Sequence, residues 1–131
     1  MMIDKLALIY IEDQKLLAAR SRGRDTYYIP GGKREPGESD EDALVREISE
    51  EISIVLDPSL LQFYGEFQAQ AHGQAEGVLV RLRCYTTTER GEVSAAAEIE
   101  EVTWLTYADR PKVSLAVQLL FDDLKVKGLL G

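Results

Sequence analysis

Residues 31–54 read GGKREPGESDEDALVREISEEISI, and the middle of this stretch decides the fold. In a helix each residue advances about 100°. Leu44, Val45, Ile48 and Ile52 then share one sector and form an apolar face. Glu47, Glu50 and Glu51 fall in the neighbouring sector at i, i+3 and i+4, so their carboxylates can converge. Ser39 stands at an N-cap position, with Asp42 three residues on in a capping-box-like spacing. Asp40 and Glu41 suit the positive end of the helix dipole. The pattern predicts a helix starting after Ser39 and running to about Ile52.

The glutamate triplet is unfavourable in isolation. Like charges one turn apart repel, and Glu50 and Glu51 lie at the helix end where the dipole disfavours anions. Arg46 can reach Asp42 or Glu50, but one arginine does not neutralise the set. A hard cation would, because Mg²⁺ favours carboxylate oxygens, waters and substrate phosphates. From the helix alone a solvated acidic face fits as well. The preceding loop shifts the balance. Gly31 and Gly32 would let the backbone approach a phosphate or metal closely. Pro36-Gly37 fits a type II turn that swings Glu38 back toward the helix start.

Outward from this stretch, Leu6–Ile11 and Lys15–Arg20 read as strands of a hairpin joined by Glu12-Asp13-Gln14. Tyr27–Ile29 reads as a short strand stopped by Pro30-Gly31-Gly32. Leu61–Gln70 and Gly77–Thr87 read as strands, Glu92–Ser94 and Val102–Leu105 as shorter ones, and Val113–Val126 as a helix with Val113, Val117, Leu120, Phe121 and Leu124 on one side. This order predicts an α+β fold, a mixed sheet with helices packed on it, as a single domain over residues 1–131.

The formal net charge of −8 argues against a nucleic-acid polymer as partner, which needs a basic surface. It leaves room for a small phosphorylated substrate bound through divalent cations. With no apolar run near membrane-spanning length and no signal-peptide pattern, the expectation is no membrane association and a cytoplasmic location. The single cysteine, Cys84, falls in a strand-like run and is expected to be a buried, inert thiol. The sequence leaves a homodimer open.

Gly32 to Ile54 resembles the Nudix box: Gly, five residues, Glu, seven residues, Arg-Glu, an aliphatic residue, any residue, Glu-Glu, any residue, Gly, an aliphatic residue. Gly32, Glu38, Arg46, Glu47, Ile48, Glu50, Glu51 and Ile54 match at the required spacing. Ser53 replaces the second glycine, which normally lets the chain leave the helix in a left-handed conformation. The resemblance implies the Nudix fold, an αβα sandwich, and a MutT-like pyrophosphohydrolase that cleaves the diphosphate linkage of a small, nucleoside-linked or nucleoside triphosphate substrate.

The resemblance also implies roles. Glu47, Glu50 and Glu51 would bind Mg²⁺ or Mn²⁺, with a backbone carbonyl from Gly31-Gly32 completing the shell. Arg46 would orient these glutamates, and Glu38 would brace the loop or bind metal through water. Gly31, Gly32 and Lys33 would contact substrate. A further glutamate from a late loop would act as base or ligand; Glu98 is favoured over Glu100 and Glu101 by its distance before Trp104. The general base is either a helix glutamate or Glu98. The proline, tyrosine and Ser-Gln-Pro-Trp marks of the ADP-ribose, diadenosine-polyphosphate and NADH subgroups are absent. Tyr27, Tyr28, Phe67 and Tyr107 are able to stack on a base, although sheet packing is the better expectation for each, and His72 is expected in an exposed loop. The competing reading is a non-catalytic Nudix-fold module that binds a ligand or regulates; retention of all three glutamates argues against it.

Overall fold

The computed structural model describes residues 1–96 and 98–131. Among the described residues seven strands form two sheets. Strands β1 (Met2–Ile9), β4 (Gly31–Gly32), β5 (Gln62–Gln70) and β6 (Leu79–Thr86) make a four-stranded sheet in the order β4-β1-β6-β5. Strands β2 (Ile11–Glu12), β3 (Lys15–Ser21) and β7 (Ile99–Leu105) make a three-stranded one in the order β2-β3-β7. The sheets are mixed: β1 and β6 run parallel and the other pairs antiparallel. Helices α1 (Asp40–Ile52) and α2 (Leu115–Val126) cover opposite faces.

The period-two alternation of β1 builds this sandwich. Leu6, Leu8 and, just beyond the strand, Tyr10 join Leu44, Ile48 and Ile52 of α1 in one core. Ala7 and Ile9 point the other way, into a second core with Val117, Leu120, Phe121 and Leu124 of α2. A strand buried on both faces loses the polar alternation of a half-exposed one, so Leu6–Ile9 reads as an unbroken apolar run.

The expected hairpin lies between β2 and β3. Its turn is Asp13-Gln14 alone, and both residues have positive φ, 51° and 60°, as a two-residue type I′ turn requires. Three expectations need correction. Tyr27–Ile29 makes only isolated bridges, Tyr28 to Ala19 and Tyr27 to Val113. Gly31-Gly32 does not end a strand but forms one, β4, on the outer edge beside β1. Glu92–Ser94 is not a strand: Ser94 N–H donates to the Ile52 carbonyl at 3.0 Å and Ala96 N–H to the Glu51 carbonyl at 3.0 Å, so the segment caps the end of α1. Ala97, the last of the small run Ala95-Ala96-Ala97, lies outside the described residues. Among the described residues no helix is long and apolar enough to cross a membrane.

Helix α1 begins as its sequence suggests. The Ser39 hydroxyl oxygen accepts from Asp42 N–H at 3.1 Å. Asp40 does more than complement the dipole. It takes ion pairs from Arg34 and from Arg83 (2.8 Å) and a hydrogen bond from the Tyr85 hydroxyl (2.6 Å), which ties the helix start to the sheet. At the other end Ser53 adopts the left-handed conformation, φ 63° and ψ 26°, that the motif normally gives to glycine.

Candidate active site

The helix sets its glutamates beside the edge strand β4, and each has a different surrounding. Glu51 is turned inward. Its Oε1 accepts from Gly31 N–H at 2.8 Å and its Oε2 from the Tyr28 hydroxyl at 3.3 Å. Burial pushes its carboxyl up to about 7, with the neighbouring charges of Glu47 and Glu50 adding to the rise and the two hydrogen bonds opposing it. Glu47 accepts from Arg46 Nη1 at 2.9 Å. Glu50 faces solvent, its nearest oxygen 3.7 Å from Arg46.

The two glycines are explained separately. A Cβ on Gly31 would collide with the Leu6 carbonyl on β1, and its φ of 151° disfavours any side chain. A Cβ on Gly32 would lie 2.5–2.8 Å from the carboxylate atoms of Glu47. The glycines therefore let one acidic side chain rest directly on the backbone of β4.

Arg46 joins helix to loop. Its Nε and Nη2 donate to the two oxygens of Glu38 at 2.9 and 2.8 Å, and Nη2 also reaches the Lys33 carbonyl at 3.2 Å. This fork holds the Glu38 carboxyl down to about 2, helped by Glu35 N–H, which donates to Glu38 at 2.7 Å. The turn closes on a Glu38 N–H to Glu35 carbonyl bond of 3.1 Å with Gly37 at φ 84°, as a type II turn needs. Of the expected intrahelical partners, Asp42 is not engaged by Arg46; Glu38 takes its place.

Among the described residues no three acidic, histidine or cysteine side chains stand grouped closely enough to chelate one ion. Convergence requires Glu47 to leave Arg46 and Glu51 to leave Gly31 N–H. The donor set nevertheless fits a hard cation. Three carboxylates share one side of α1, one of them is half-withdrawn from water, and a glycine backbone lies against another with no Cβ between.

The late-loop glutamates separate clearly. Glu100 and Glu101 are held by Arg20, at 3.0 and 3.2 Å, and Glu101 also accepts from the Tyr27 hydroxyl at 2.7 Å. Glu98 is exposed; its carbonyl accepts from Arg22 N–H at 3.0 Å, and its charge acts on the Tyr28 hydroxyl beside Glu51. Tyr28 is the residue whose role the sequence hid. Its hydroxyl bridges Ser21 Oγ (3.0 Å) and Glu51, and burial raises it to about 12, so it remains a donor at neutral pH. Nothing in residues 27–29 signals a partner on a helix more than twenty residues on.

A cavity of about 950 Å³ opens beside Glu51, on the side of the sheet away from α1. Its lining includes Lys5, Tyr28, Gly31, Gly32, Lys33 and His72. His72 is exposed, as expected of its loop, and contacts Thr26 Oγ1 at 3.1 Å. Tyr27 also lines the cavity, whereas Phe67 packs against the α2 core and Tyr107 donates to Asp122 at 2.9 Å. Cys84 is fully buried and its thiol is pushed up to about 12 by that burial, which makes it inert.

The fold sets an acidic helix beside a polar cavity. The NUDIX domain model matches residues 4–119. The chain belongs to the NUDIX-domain family. The solution structure of the E. coli ORF135 protein is similar at 26% identity and TM-score 0.74, covering 95% of this chain and 89% of that one. A MutT NUDIX hydrolase from Burkholderia pseudomallei shares the fold at 19% identity and TM-score 0.76, over 93% of this chain and 97% of its own. A C. elegans Ap4A hydrolase shares it at 17% identity and TM-score 0.68, over 95% and 96%. No curated protein sequence matches the chain.

Proposed function

We propose that the chain hydrolyses the diphosphate linkage of a small nucleoside diphosphate-linked or nucleoside triphosphate substrate, using Mg²⁺ or Mn²⁺ held by Glu47, Glu50 and Glu51. The observation that carries this reading is the half-buried Glu51 beside Gly31, facing a cavity large enough for a nucleotide. When bound, a divalent cation supplies charge neutralisation at the phosphoryl oxygens and acidifies water.

The chain's own groups do the rest. Arg46 holds Glu38 and the 33–38 loop against α1, which fixes the distance between Gly32 and the glutamates. Gly31, Gly32 and Lys33 present backbone and one cation to the substrate, and a Gly32 carbonyl would complete the metal shell. Glu98 would take the proton of the attacking water; it is the late-loop glutamate left unpaired among the described residues, on the Tyr28 side of Glu51. The MutT and Ap4A names of the similar structures support a nucleotide as substrate.

The test is a phosphate-release screen over nucleoside diphosphates, triphosphates and diphosphate-linked nucleosides, with Mg²⁺ and with chelator. Release from at least one compound, only with metal, is expected. Ligand binding to the cavity without turnover of any compound would instead favour a non-catalytic module.

A further inference from the structure

Strand β4 ends at Gly32, and the chain leaves it beside Lys5, whose charge feels that of Lys33. Leu6 faces Gly32 and Ala7 faces Gly31 across the β1–β4 pair. Extending that register by one residue would set Lys33 opposite Lys5. Directly opposed residues of an antiparallel pair share a face, and like charges there are destabilising. Leu6 belongs to the α1 core, so Lys5 points to the other side, and both lysines line the cavity. Among the described residues neither ammonium makes an ion pair. The anions facing them are Glu51 and Asp25 on the same cavity wall. Lys5 is exposed at the rim of the cavity, and there partial withdrawal from water and the repulsion of Lys33 both disfavour its charge, the attraction of Glu51 being the smallest of the three influences.

We propose that Lys5 and Lys33 form a two-lysine clamp for a phosphate of the substrate on the cavity side of Glu51, separate from the oxygens held at the helix. The proposal rests on the reading above that this cavity receives the substrate, and it narrows the substrate class to compounds with a phosphate beyond the metal shell. Two opposed ammonium groups are a poor structural pair and a good anion site, because a bridging phosphate oxygen turns their repulsion into two charge-assisted hydrogen bonds. Lys33 is a neighbour of the box glycines; Lys5 lies far from them in sequence and is brought there only by the register.

The test uses methylenediphosphonate, a diphosphate that cannot be hydrolysed at its bridge, titrated with Mg²⁺ present into the full chain and into Lys5→Gln, Lys33→Gln and Lys5→Arg. Lys5→Gln and Lys33→Gln should each weaken binding about tenfold, the scale of one charge-assisted hydrogen bond, and Lys5→Arg should retain most of it. Without ligand, Lys5→Gln should raise the melting temperature, because repulsion is relieved; a lysine with a structural role would lower it. Wild-type affinity in Lys5→Gln, a lowered melting temperature, or no binding by the wild type overturns the clamp. The turnover screen is scored separately: metal-dependent hydrolysis without any effect of Lys5→Gln keeps the hydrolase reading and removes the clamp, whereas a Lys5-dependent affinity without hydrolysis does the reverse.

Discussion

Glu51 carries opposing demands. Its place between Gly31 N–H and the Tyr28 hydroxyl withdraws it from water, and its carboxyl rises from 4.5 to about 7. Between these values the folded chain holds a proton that the unfolded chain has released. The contribution of this group to stability is therefore complete below pH 4.5 and is lost as pH rises through about 7. Glu51→Gln has no such loss. In metal-free protein the melting temperature of Glu51→Gln minus that of the wild type should increase from pH 5 to pH 8; a difference independent of pH would show that Glu51 is not burdened by its charge. With metal present the same variant should lose about 10²-fold or more in turnover, the scale of a lost electrostatic or acid–base contribution. Gly32→Ala acts on the neighbouring Glu47, proposed as a metal ligand. Its Cβ would overlap the Glu47 carboxylate, so metal affinity should fall while the helix survives, checked by calorimetric Mn²⁺ titration beside circular dichroism. Glu98→Gln should depress turnover strongly and leave metal binding nearly intact. Glu100→Gln and Glu101→Gln, whose carboxylates are tied to Arg20, should be mild in turnover. Equal turnover in all three would remove Glu98 from the site.

At the scale of elements, what the sequence showed depended on how local the cause was. Helix α1 was legible from Ser39 to Ile52 because its cap, its periodicity and its acidic first turn all lie within the segment. The strands Gln62–Gln70 and Leu79–Thr86 and the second arm of the hairpin were legible within a residue or two for the same reason. The expected first arm, Leu6–Ile11, is in fact the end of β1, which starts at Met2, and the start of β2, which takes Glu12 out of the turn. Strand β4 was not. Two glycines carry no side-chain pattern, and only their pairing with β1 makes them a strand. The alternation of Glu92-Val93-Ser94 suggested a strand, but among the described residues it pairs with none, and the α1 carbonyls of Ile52 and Glu51 take the N–H groups of Ser94 and Ala96. The glutamates could be picked out from spacing, but the Tyr28–Glu51 contact and the Lys5–Lys33 opposition could not, since both depend on sheet register. Ser53 is a feature of the element rather than of the site. A left-handed residue other than glycine costs about 1–2 kcal/mol, so Ser53→Gly should raise unfolding stability by about 1 kcal/mol in urea titration. An unchanged midpoint would mean that hydrogen bonds around residues 94–96 already offset the strain.

Across the whole molecule, the two cores on either side of β1 separate the work. The α1 side places a row of carboxylates at the sheet edge, and the α2 side leaves a cavity with cations beneath that edge. Glycines 31 and 32 lie between them, so on the proposed reading an acidic protein of net charge −8 would present both signs to one small phosphorylated molecule. The central claim is that Glu47, Glu50 and Glu51 together hold the ion on which hydrolysis depends. The measurement is turnover of the screened substrate against free Mg²⁺, from chelated protein upward, in the wild type and in Glu47→Gln, Glu50→Gln and Glu51→Gln. The expected result is no turnover without metal, saturation as Mg²⁺ is restored, and curves displaced to higher Mg²⁺ or lowered in plateau for each variant. Full turnover in chelator, or variant curves that overlay the wild type, would contradict it.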